Sequence, residues 1–123
     1  FRAAGKRLSG FGHRFHTNDP RTQRLFALAE EYGIAGDYVK LAKVFVAMLQ
    51  KITGKPLPLN VDGAIGTLLC EMDFDPVLAN AFFMIARVPG LVAHIYEEKT
   101  RYKPMRKIHP TDVEYDGPEK REL

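Results

Sequence analysis

Cysteine is nearly absent from this chain: Cys70 is the only one. No intramolecular disulfide can form, which predicts a reducing, cytoplasmic setting. The first ten residues, FRAAGKRLSG, lack the apolar core of a signal peptide, and no apolar run approaches membrane-spanning length. No membrane partner is therefore expected. Charge of one sign is also scarce, with a formal excess of only +3. That suits small anionic ligands and argues against nucleic acid, which calls for a concentrated basic face. Runs that alternate apolar and polar residues between turn signals are missing, so strands are not expected. No internal repeat or low-complexity segment is present.

What the chain does contain is helical periodicity. At 123 residues it is large enough for one domain with a real core. Residues 1–18 hold three glycines and no sustained period, and read as a loop. Asp19-Pro20 opens a first helix, with Leu25, Leu28, Ala29 and Tyr32 as its stripe and Gly33 at its end. A second helix begins near Asp37, carries Tyr38, Ala42, Phe45, Leu49 and Ile52 on one side, and closes at Gly54. After the irregular Lys55-Pro56-Leu57-Pro58, a short third helix follows NVDG with the stripe Ile65, Leu68, Leu69 and Met72. Asp75-Pro76 opens a long apolar segment reaching about Arg101, which Pro89-Gly90 should kink or split. From Tyr102 on, charges and prolines predict an extended tail. The expected class is all-α, divided as 1–73, 74–101 and 102–123.

Several residues are candidates for chemistry. His13 lies in Gly10-Phe11-Gly12-His13, where glycines allow close backbone approach and can expose N–H groups to phosphates; an incidental loop histidine fits the tetrapeptide as well. Arg21 stands in the first turn of a helix, where it either grips a carboxylate or is simply solvated. Asp62 is either a helix cap or a catalytic base on a loop stiffened by prolines. Arg87 interrupts Ala81–Ala86 and demands a counter-charge, from Glu71, from Glu97 or from a ligand. Arg2, Lys6, Arg7, Arg14, Arg21 and Arg24 give the glycine-rich end positive potential. His13, His16, Cys70, His94 and His109 match no common zinc spacing, so no metal is expected.

Four segments in order, GFGHRFHTNDPR (10–21), LPLNVDGAIG (57–66), FFMIARVPGLVAHIYEE (82–98) and KPMR (103–106), resemble the citrate synthase family across nearly the whole chain. GFGHRFHTNDPR, NVDGAIG, ARVPGL and the YDGP tail look closest to citryl-CoA lyases and lyase-like citrate synthase homologues. The separation of His13 from Arg21 is one residue shorter than in typical synthases. The resemblance implies an all-α fold of a large and a small domain closing over substrate, usually a homodimer. This chain would supply the small domain, the C-terminal helix and the extended tail.

The resemblance also implies roles. His13 would handle the carbonyl or hydroxyl oxygen of the oxaloacetate part, and Asp62 would exchange a proton with the acetyl methyl group. Arg21, Arg87 and Arg106 would hold carboxylates, the last usually contributed by the neighbouring subunit. Gly10, Phe11 and Gly12, with Arg14, would lie against coenzyme A. The substrates would be acetyl-CoA with oxaloacetate, or citryl-CoA, with no prosthetic group. The family's enol-stabilising histidine lies upstream of the glycine loop, and no histidine precedes His13 here. With its opening at Phe1 on a loop, the chain reads as part of a longer enzyme and is expected to be inactive alone. The competing reading is a non-catalytic helical module for binding or oligomerisation, suggested by the apolar segment around Phe82.

Overall fold

The computed structural model describes residues 5, 7–119 and 121; Arg2 and Lys6 of the expected cationic cluster lie outside them. The fold is all-α: α1 (Pro20–Glu31), α2 (Asp37–Thr53), α3 (Val61–Glu71), a 3-10 turn (Pro76–Leu78) and α4 (Ala79–Arg101). Among the described residues the only extended pairing is a single bridge, Phe11 with Leu59. Contacts cluster into two units, Phe1–Arg87 and Val88–Leu123, so the boundary expected at 73–74 falls within the first.

Local chemistry starts each helix. Asp19 caps α1 by accepting from Arg21 N–H, with Pro20 in the first helical position. Gly36 precedes α2 and has no capping side chain of its own. Glu71, at the end of α3, serves instead: its Oε1 accepts from Gly36 N–H and Val39 N–H, each at 2.8 Å. The start of α2 is thereby tied to the end of α3. Asn60 caps α3, accepting from Asp62 N–H and Gly63 N–H.

Phe26, Val39, Ala42, Leu59 and Ala64 form the core, with Phe11, Leu25, Ala35, Val46 and Leu68 packed around it. This shifts the expected stripes. On α2 the buried side chains are Val39 and Ala42, while Tyr38, Phe45 and Ile52 are exposed. On α1, Thr22, Phe26 and Ala29 are buried and Tyr32 is exposed. The period was legible; the phase of the stripe was not, because each helix has apolar residues on more than one side.

Pro89 does not split α4, which runs unbroken through it. Proline removes one ladder hydrogen bond and crowds the preceding turn, but neighbouring bonds carry the helix across. The expectation about membrane-length segments is corrected by the same continuity: Pro76–Arg101 forms one helical stretch long and apolar enough to cross a membrane.

One contact governs how the loop before α1 meets α3. A Cβ on Gly63 would lie 2.5 Å from Gly10 O, and one on Gly10 would lie 2.9 Å from Gly63 Cα. Gly63→Ala should therefore lower stability, by about 1–3 kcal/mol from overpacking, against the roughly 1 kcal/mol that alanine adds in a helix. Urea denaturation checks the sign; a rise in midpoint would contradict the contact.

Candidate active site

The His13 loop is bolted to the segment leading into α3. Gly12 N–H donates to Pro58 O at 2.7 Å, Asn60 N–H donates to Gly10 O at 3.0 Å, and Asn60 Nδ2 donates to Gly12 O at 2.9 Å. Gly10 and Gly12 both have φ of +83°, a region open to glycine. The loop glycines thus serve backbone packing, and the Gly12 N–H is spent on Pro58 rather than offered to a phosphate.

His13 is oriented by its own chain. Its Nδ1 accepts from Phe15 N–H at 3.1 Å and His16 N–H at 3.0 Å. In the neutral ring that leaves the proton on Nε2. Arg21 Nη2 lies 3.3 Å from this Nε2. Arginine nitrogen only donates, so the two groups cannot satisfy each other. They form a pair of converging donors that one oxygen acceptor can engage together.

Arg21 is held from behind by Asp19, whose side chain is fully buried. Arg21 Nε donates to Oδ1 at 2.9 Å and Nη2 to Oδ2 at 2.8 Å, a two-pronged ion pair. Oδ1 also accepts from Arg21 N–H, and Oδ2 from Val61 N–H at 3.0 Å, at the first residue of α3. The Arg21 guanidinium is the main reason that Asp19 is held down at about 2; the two backbone donors add to it, against the opposing effect of burial. Arg21 is raised chiefly by its bond to Asp19 and in smaller part by the charge of Asp62.

Asp62 is exposed in the first turn of α3, and Asn60 performs the capping that one reading gave to Asp62. Arg21 and Arg87 line one cavity of about 720 Å³ with Arg24 and an apolar wall that includes Ile65, Leu68 and Phe82. Arg87 is exposed there, its guanidinium 4.8 Å from the Phe83 ring centre. Among the described residues it meets no carboxylate, because Glu71 is occupied by α2 and Glu97 pairs with Arg101. Of the three expected sources of a counter-charge for Arg87, the two internal ones, Glu71 and Glu97, are thus engaged elsewhere. His13 lines a second cavity of about 1190 Å³, with Arg7, Phe11, Gly12 and Arg14. Asp62 lines neither cavity.

Arg106 belongs to the second unit. It donates from Nε and Nη2 to the two Glu98 oxygens at 2.9 Å each and lies 3.8 Å from the Tyr102 ring centre. A carboxylate already fills its fork. Sequence reasoning saw Asp19 only as a cap and passed over Asn60 and Glu98. An Asp-Pro start signals a cap, but nothing in the string signals that both carboxylate oxygens are used.

The model of the citrate synthase C-terminal domain matches residues 1–111, and the chain belongs to the citrate synthase family. Citrate synthase of Corynebacterium glutamicum is 35% identical over 127 residues, covering 97% of this chain and 28% of that protein. Citrate synthase of Haloferax volcanii is 33% identical over 108 residues, covering 86% and 28%. The structure of citryl-CoA lyase from Hydrogenobacter thermophilus superposes with a TM-score of 0.78 at 45% identity, covering 99% of this chain and 49% of that one. The chain therefore spans less than a third of these two synthases and about half of the lyase chain.

Asp19 gives the site a pH signature. A carboxyl depressed on folding stabilises the protein above its unfolded value, 3.8, and that contribution disappears as pH falls through about 2. Across this window the stability advantage of the protein over its Asp19→Asn variant should shrink, by roughly 2 kcal/mol. Denaturant titrations at stepped pH check it; a gap independent of pH would contradict the ion pair.

Proposed function

We propose that this chain carries the oxaloacetate-handling part of an enzyme that makes or cleaves the carbon–carbon bond of citryl-CoA. The observation that carries the reading is the His13 Nε2 and Arg21 Nη2 donor pair, fastened to the helix end that bears Asp62. In the condensing direction Asp62 removes a proton from the acetyl methyl group. The resulting enol carbon attacks the oxaloacetate carbonyl carbon, and the oxygen takes up a proton from His13. Cleavage is the reverse: His13, with Nε2 deprotonated and Nδ1 still accepting from the Phe15 and His16 N–H groups, takes up the hydroxyl proton at Nε2, the bond breaks, and Asp62 returns a proton to the methylene carbon.

A carboxylate with an ordinary value near 3.9 is a feeble base for a C–H bond, so the enol oxygen needs a donor of its own. We assign that donor to the part of the relatives' length that this chain does not span, and this chain alone is then inactive. Arg21 and Arg87 hold substrate carboxylates from one cavity. Arg106 joins them when its fork exchanges Glu98 for a ligand carboxylate, across a homodimer interface. The second cavity receives coenzyme A, with Arg7 and Arg14 toward its phosphates and Phe11 against its apolar arm. The lyase direction is favoured by the 45% identity to the citryl-CoA lyase. A cytoplasmic location accompanies this reading.

The exposed apolar residues of α4, Met84, Ile85, Val88, Leu91, Val92 and Ile95, favour a second reading as a non-catalytic oligomerisation module. Assays separate the two. The complete native protein, folded and dimeric by sedimentation, should release acetyl-CoA from citryl-CoA or form citrate. A dimer with neither activity would leave the module reading.

Within the enzyme, Asp62→Asn should slow exchange of the methyl proton by at least about 100-fold, with citrate binding retained. Unchanged exchange would reduce Asp62 to a residue of the helix start. Arg87→Ala has no ion pair to lose, so its stability should stay within about 0.5 kcal/mol. Its affinity for citrate should fall about 10- to 100-fold. Calorimetry reads both, and intact affinity would remove Arg87 from the site.

A further inference from the structure

The buried carboxylate behind the site has a role that a helix cap does not require. Capping α1 needs one oxygen and one backbone N–H. Asp19 accepts four hydrogen bonds, two from the Arg21 guanidinium, one from Arg21 N–H and one from Val61 N–H. Its Oδ2 is shared between Nη2, the nitrogen that stands 3.3 Å from His13, and the first residue of α3. One rigid group thus contacts the guanidinium and the helix end that presents Asp62. We propose that Asp19 is a positioning residue: its carboxylate sets Arg21 beside His13 and fixes that donor pair against the start of α3.

The physical argument concerns freedom. Arginine has four side-chain torsions and this side chain is 41% exposed, so the fork to Asp19 is the main restraint on its guanidinium at the His13 end. Two parallel N–H···O bonds define both the direction and the plane of the group. A buried charge left with fewer donors would also disturb the α1–α3 junction, so a structural effect has to be separated from a positioning one. Thr22 supplies the control: its buried hydroxyl ties α1 to Leu59 O at 3.2 Å, a bond that does not involve the Arg21 guanidinium.

The inference rests on the function proposed above, and the test keeps the two apart. In the complete native protein, Asp19→Asn should raise KM for oxaloacetate, or for citryl-CoA, about 10- to 100-fold, with kcat falling less. Thr22→Val should lower the melting temperature and leave KM unchanged. In an Arg21→Ala background Asp19→Asn should add little, since the group it positions is gone. Should Asp19→Asn not fold, Asp19→Glu keeps the charge while displacing the fork, and the same KM rise is expected. A KM rise equal to that of Thr22→Val at matched stability, or full additivity with Arg21→Ala, would overturn the proposal. The Arg21 Nε–H resonance gives a readout free of catalysis: its exchange should be slow in the wild type and fast in Asp19→Asn. Equal exchange in both overturns the positioning role. An inactive wild type with that difference present overturns only the enzymatic reading.

Discussion

A buried carboxylate must find donors, and at Asp19 that requirement organises the whole first unit. The donors come from two places distant in sequence, the first turn of α1 and the first residue of α3. Satisfying them brings two helix starts together. Thr22 adds a second tie from α1 to Leu59, while Glu71 joins the end of α3 to the start of α2. Three helices are therefore fixed at their ends by polar groups and along their lengths by a small core of Phe26, Val39, Ala42, Leu59 and Ala64.

The His13 loop joins this frame because two glycines face each other. Neither Gly10 nor Gly63 has room for a side chain, so backbone meets backbone, and three hydrogen bonds run between the loop and residues 58–60. The imidazole is then aimed by N–H groups two and three residues further on. What results is a converging donor pair with rigid backing, tied through Asp19 to the start of α3, whose first turn carries the exposed Asp62. Binding an oxygen-rich anion at such a place needs no large rearrangement of the donors. Arg87 and Arg106 differ in state: among the described residues the first meets an aromatic ring and no carboxylate, while the second is loaded with Glu98.

The helices were legible because their apolar residues recur at helical spacing, and Asp-Pro marks the start of α1 and of the segment leading into α4. The stripe of α2 was right at Ala42 and otherwise misphased, since Val39 looks no more core-like in the string than Tyr38, Phe45 and Ile52. The motif around His13 and Arg21 was readable, and the structure brings those two side chains together. The capping role of Asn60 was hidden by its neighbour Asp62, an equally good cap by residue type. The pairing of Glu98 with Arg106 depends on how the chain turns after α4, where Met105 has a left-handed backbone, and periodicity carries no information about that. The glycine contact was out of reach for a similar reason: it joins positions more than fifty residues apart.

In the proposed function His13 and Arg21 engage one substrate oxygen together while Asp62 faces the acyl carbon. A crystal structure of the complete native protein with citrate and coenzyme A tests it most directly. The account predicts one citrate oxygen within hydrogen-bonding distance of both His13 Nε2 and Arg21 Nη2, with the Asp62 carboxylate turned toward the thioester end. Citrate bound away from that donor pair, with Arg21 still facing only Asp19, would contradict it.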